Sequence, residues 1–186
     1  MSLHPEQQRA VEYLAKKGTL ATTEKLRDQL RDAFAAIERA FDEVAVEKRQ
    51  ASPAEGKWSP HEILDHLVLS HGPALPQLAS LLDGVSPPGV AIPADLHRDA
   101  GERPAWDESR TQLGDIHREF LQLLESASDD LSLEPKAVAE IVIKVDGDPK
   151  HWYERLDWKA FVQTIRVHTI EHQRQLQRAS SVNAVG

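Results

Sequence analysis

The chain has nine histidines and no cysteine. Thiolate ligands, disulfides and a cysteine nucleophile are therefore excluded, and any metal chemistry falls to imidazoles and carboxylates. His168 and His172 lie four apart in a segment where Phe161, Ile165 and Leu176 recur on the same stripe. On a helix, positions four apart sit about 40° apart around the axis. The two imidazoles therefore project together, on the apolar side. A buried imidazole needs partners for its ring nitrogens, and two on adjacent turns can share a metal ion. The competing reading is a pair of singly hydrogen-bonded histidines. The pair is not of the metalloprotease type, because Thr169, Ile170 and Glu171 separate the two and no glutamate follows His168. Nor is there a Glu-x-x-His on each of two helices, as a di-iron bundle requires.

A third ligand has to come from another helix. His61, His66 and His71 are five apart, so neighbours in that series point about 140° away from one another. Only His66 aims inward with Ile63 and Leu67; His61 falls in an exposed first turn and His71 at a proline break. His117 shares a stripe with Leu113, Phe120 and Leu124 and reads as a hydrogen-bonded core histidine rather than a fourth ligand. His4, His97 and His151 fall in terminal or loop contexts and read as surface groups, though His97 and His151 could overhang a pocket. Asp65 and Glu171 adjoin ligands but point outward as surface groups. Gln175, one turn beyond His172, reads as surface with a possible reach to the pocket, and Trp58 as structural packing where its helix begins.

These side chains need helices to position them. A short N-terminal helix fits residues 4–17, with Gly18 ending it as a left-handed residue. Leu26, Leu30, Phe34, Ile37 and Phe41 mark a second helix from Thr22 to Glu47. Ser59, Pro60 and Glu62 form the clearest start signal in the chain, a capping box with proline at the first helical position. That helix carries Ile63, Leu64, Leu67 and Val68 inward; Gly72-Pro73 and Pro76 should end or kink it before it resumes at Leu75, Leu78, Leu81 and Leu82. Residues 84–104 are rich in proline and glycine, a loop long enough to carry function. A helix follows over 107–126. Residues 136–145, closed by Asp146-Gly147, read as a strand with Val90–Ile92 the nearest pairing partner. The last helix runs from Asp157, its cap, to Arg178, and the tail 180–186 reads as mobile. The fold class is all-α: an up-and-down four-helix bundle with elaborated loops and a short β-hairpin, in one domain spanning 1–186 with 1–18 as an N-terminal extension helix.

Composition narrows the function classes. The chain carries 30 acidic against 22 basic residues, a formal charge of −8. A net negative chain gains nothing from the phosphate attraction that dominates nucleic-acid binding, so no nucleic-acid partner is expected. No stretch approaches the roughly 20 apolar residues of a membrane span, and the polar start MSLHPEQQRAVEYLAKKG carries no secretory signal. A cytoplasmic protein with a small-molecule substrate and no membrane partner is the expectation.

Trp58-Ser59-Pro60-x-Glu62-Ile63-Leu64-x-His66-Leu67, followed a hundred residues later by His168-x-x-x-His172, resembles the DinB-like superfamily. These are four-helix bundles of the damage-inducible protein B type, which include thiol-dependent S-transferases and isomerases. The resemblance spans about 20–180. It implies a three-histidine site for a divalent ion, zinc or nickel, at His66, His168 and His172. It further implies a low-molecular-weight thiol as cosubstrate, a transferase or isomerase activity, and pairing as a homodimer. The chain departs from that pattern at the Gly72-Pro73 break, the 137–145 segment and the 84–104 loop. The residues leave other functions open: hydrolysis by metal-activated water, or a non-catalytic metal-binding stress-response bundle. The loops 84–104 and 128–156 should wall the pocket, with Val90, Ile92, Trp152 and Tyr153 either covering an apolar substrate or packing on the bundle as satellite core.

Overall fold

The computed structural model describes residues 4–145 and 148–181. Its elements are α1 (Pro5–Leu14), α2 (Thr23–Asp42), α3 (Pro60–Leu82), α4 (Trp106–Glu125), β1 (Ala137–Val145), β2 (Asp148–Leu156) and α5 (Trp158–Ser181). The four long helices form the expected bundle. α2 packs on α5 and α4, and α3 packs on α4 and α5, so the ring order is α2–α5–α3–α4. Asp146–Gly147, where the sequence suggests a turn, and the tail beyond Ser181 lie outside the described residues.

Start signals behave as their chemistry requires. Ser59 Oγ accepts the Glu62 amide while Glu62 Oε2 accepts the Ser59 amide at 2.7 Å, closing the capping box of α3. Asp157 Oδ1 accepts the Ala160 amide at 2.9 Å at the start of α5. Three expectations need correction. α3 does not break at Gly72-Pro73: it is continuous through Pro73 and Pro76. Both prolines are exposed, so the carbonyls they leave unpaired lie toward the side that water reaches. Gly18 does not take a left-handed conformation; it sits in a wide helical turn, Ala15–Thr19, where a Cβ would come 2.7 Å from the Ala160 backbone. Its missing side chain permits a close crossing with α5. Finally, β1 pairs with β2, antiparallel from Ala137↔Leu156 to Val145↔Asp148, and not with Val90–Ile92.

The apolar interior divides into two clusters. One gathers Leu26, Leu30, Phe34, Leu78, Phe120 and Ile165; the other gathers Ile37, Phe41, Ile63, Leu67, Leu113 and Leu176. Fully burying each such side chain contributes about 1.5–3 kcal/mol. The division falls at the same level on all four long helices: between Phe34 and Ile37, Val68 and Ala74, Leu113 and Phe120, Ile165 and Leu176. The residues at or beside that level are Glu38, His71, His117, His168 and His172. A polar layer crosses the bundle between two apolar ones.

The hairpin seals one flank. Ala137, Ala139 and Leu156 join the first cluster, which matters because a two-stranded hairpin is marginal by itself. The 84–104 loop has no regular structure, but α3 straps it down. Arg98 Nη1 donates to the buried Asp65 Oδ1 at 2.6 Å, and Arg103 Nη2 to Glu62 Oε1 at 2.9 Å. Asp65, expected at the surface, is 1% exposed.

Candidate metal centre

α3 and α5 bring His66, His168 and His172 together as the spacing implied. His168 Nε2 lies 3.0 Å from His66 Nε2 and 3.0 Å from His172 Nε2. His66 is buried, while His168 and His172 are half-buried. The outer nitrogens of two rings are already spoken for. His66 Nδ1 faces the Leu96 carbonyl at 2.8 Å and His172 Nδ1 faces Gln175 Oε1 at 3.0 Å. A carbonyl only accepts, so each Nδ1 donates and each Nε2 carries a lone pair. His168 Nε2 cannot satisfy both of these acceptors, because one ring nitrogen offers either one proton or one lone pair.

Protonation does not relieve that crowding. Burial pushes all three pKa values below the ordinary histidine range; neighbouring histidines lower those of His168 and His172 further, and His172 falls to about 3. At neutral pH the site is three neutral imidazoles directed at a common point. That is the donor set of a divalent cation, and the three residues could hold one.

Three flanking residues turn out differently from the sequence reading, and Trp58, expected as packing, packs on the site itself. Gln175 does reach the site and fixes the His172 ring. Trp58 stacks on His172 with rings 9° from parallel and centroids 5.9 Å apart, and leans on His66 at 4.8 Å. It braces two of the three rings. His71, assigned to a helix break, is wholly buried and its Nε2 lies 3.2 Å from His168 Nδ1. His61 is buried too, bonded to Gln50 and to the Pro104 carbonyl. Sequence spacing could have found Gln175, one turn from His172; nothing local marks His71, because its role depends on α3 running through two prolines. His117 is the hydrogen-bonded core histidine that its stripe suggested.

The three rings open on a cavity of about 430 Å³. Phe161 and Ile165 of α5 form its inner surface; Ile92–Asp95 and Ala139–Val142 form the facing one. Both elaborated loop regions therefore wall the pocket. Of the four residues expected to cover a substrate only Ile92 lines it, while Val90 and Tyr153 are exposed. On the hairpin side His151 Nδ1 donates to Glu140 Oε1 at 2.8 Å, and Glu140 Oε2 accepts the Ala94 amide.

No curated protein matches the chain. A family profile, that of the DinB superfamily, matches residues 29–176, which takes in α3 and α4 whole, most of α2 and α5, and all three histidines of the site. With the bundle and the histidine cluster in the places the family resemblance implied, the chain belongs to the DinB superfamily.

Proposed function

We propose that the chain is a metal-dependent enzyme in which His66, His168 and His172 hold one divalent ion, zinc or nickel, for transfer or isomerisation chemistry with a low-molecular-weight thiol. One observation carries this reading: the three Nε2 atoms converge at the wall of an accessible cavity instead of in a sealed interior. Three protein ligands leave a coordination position open, the pattern of catalytic rather than structural sites. An ion bound there supplies Lewis acidity, favouring the deprotonated form of a small acid such as a thiol at its open position.

The chain's own groups do the rest. Phe161, Ile165 and Ile141 give the cavity an apolar surface that receives an apolar electrophile and excludes water. Trp58 and Gln175 keep the His172 ring in place. His151, held by Glu140 at the cavity wall, would offer its Nε2 to the proton that an entering thiol gives up. The test compares zinc-loaded and nickel-loaded protein with several small thiols and electrophiles. Thiol consumption should be absent in His168→Ala and about 100-fold slower in His151→Ala. Equal turnover by wild type and His168→Ala contradicts the proposal, and turnover of esters without thiol replaces transfer by hydrolysis.

A further inference from the structure

The polar layer contains a second, continuous arrangement that the metal site does not account for. Glu38 Oε1 lies 2.6 Å from His117 Nδ1; His117 Nε2 lies 3.3 Å from His71 Nδ1; His71 Nε2 lies 3.2 Å from His168 Nδ1. One residue comes from each long helix: α2, α4, α3 and α5. Phe34 stacks on His117 at 3.7 Å and 5°, and Phe120 meets His71 edge-on, so the rings have fixed planes. His71 is wholly buried and His117 nearly so, while Glu38 is about a third exposed on the far side of the bundle.

The chain can be protonated in only one sense. A carboxylate accepts and cannot donate, so His117 Nδ1 carries the proton and, with the ring neutral, Nε2 is a lone pair. His71 Nδ1 must then donate to it, leaving His71 Nε2 as an acceptor. His168 Nδ1 must donate in turn, which leaves a lone pair on His168 Nε2, the atom between His66 and His172. The opposite sense would set a ring lone pair against the Glu38 carboxylate at 2.6 Å. Burial favours the neutral ring at His117, lowering its pKa despite the raising effect of Glu38.

We propose that Glu38, His117 and His71 form a one-way hydrogen-bond relay that fixes the tautomer of His168, so that a carboxylate on the opposite face of the bundle tunes cation affinity at the three-histidine site. These are positioning residues: none touches the cation position. The inference rests on reading the trio as a cation site. Each bond in such a chain polarises the next, and losing a group that orients a metal-bound histidine typically costs 10–100-fold in affinity.

The test pairs two readouts on the full chain. Side-chain ¹⁵N resonances report histidine tautomers in the metal-free and zinc-loaded protein, and competition with a chelator reports zinc affinity. Wild type should show His117, His71 and His168 all protonated at Nδ1. His71→Phe, which keeps the volume between Phe34 and Phe120, should weaken zinc about 10–100-fold. Glu38→Ala, at a partly exposed position that folding tolerates, should weaken it about 3–10-fold and release the tautomer preference of His117. Glu38→Gln, which retains an acceptor oxygen without the charge, should restore most of the tautomer preference and part of the affinity. Zinc bound with unchanged affinity by both Glu38→Ala and His71→Phe, or an Nε2-protonated His168 in the metal-free wild type, overturns the relay and leaves the metal site standing. Failure of the wild type to bind zinc overturns both.

Discussion

On one side of the cavity, α3 and α5 present buried and half-buried imidazoles whose positions follow from helical geometry and whose outer nitrogens are each bonded. On the other side, the 84–104 loop and the β1–β2 hairpin form a wall with much more exposed surface, fixed by a few polar ties: Arg98 to Asp65, the Ala94 amide to Glu140, and the Lys136 amide to Ser86. The helical wall carries the three histidines that could hold a metal ion, and its precision comes from the core on either side of the polar layer. In the proposed enzyme, the added wall supplies the contacts a substrate meets. Such a division lets the surface that selects substrates vary without disturbing the ligands, because loops tolerate change that a packed core does not. The separation is not complete: Leu96, in the loop, supplies the carbonyl that orients His66.

Breaking the helical wall should have the largest effect. Alanine at His66, His168 or His172 should reduce zinc from about one ion per chain to near none by elemental analysis of untagged protein, while the fold persists by circular dichroism. Acid attacks the same wall next. The folded pKa values of His66, His71, His117, His168 and His172 are all depressed. Their contribution to stability is therefore complete above the unfolded value near 6.5 and is lost as pH falls toward the folded values. Each histidine costs up to about 1.4 kcal/mol per pH unit in that window. Denaturant midpoints of metal-free protein should drop steeply from pH 6.5 to 4; a flat profile there would contradict the buried, neutral layer.

The added wall should respond more mildly and in a different currency. Asp65→Ala leaves Arg98 without its anion and removes one of the ties between the loop and α3, costing about 2 kcal/mol in denaturant unfolding. Because Leu96 loosens with the loop, zinc affinity should also fall about tenfold. Glu140→Ala cuts the tie to Ala94 and the brace on His151, and should slow turnover while leaving zinc affinity unchanged in the chelator competition. Smallest of all, Ser59→Ala removes one half of the α3 capping box and should cost about 1 kcal/mol.

The contrast between the walls also explains what could be read from the sequence. The His168–His172 pair, the inward aim of His66 and the stripe from Leu26 to Phe41 follow from a period of 3.6 residues that holds wherever a helix forms, and the capping box at Ser59 follows from the unpaired amides of a helix start. Gly72-Pro73 misled because local propensity counts the lost hydrogen bond, whereas burial of Ala74, Leu78 and Leu81 keeps α3 intact. β2 was missed because DPKHWYERL lies mostly exposed and lacks a clean apolar alternation; its pairing is decided by β1. The buried state of Asp65 depends on where Arg98 of the loop comes to rest, and the relay from Glu38 to His168 depends on four helices at once. Neither has a local signal.

The most direct test of the three-histidine centre is X-ray absorption at the metal edge of stoichiometrically zinc-loaded protein, beside the His168→Ala variant. The expected result is three imidazole nitrogens at about 2.0–2.1 Å with a further position filled by solvent or added thiol, and loss of that shell in the variant. A spectrum of oxygen ligands alone, or one identical in wild type and His168→Ala, would contradict it.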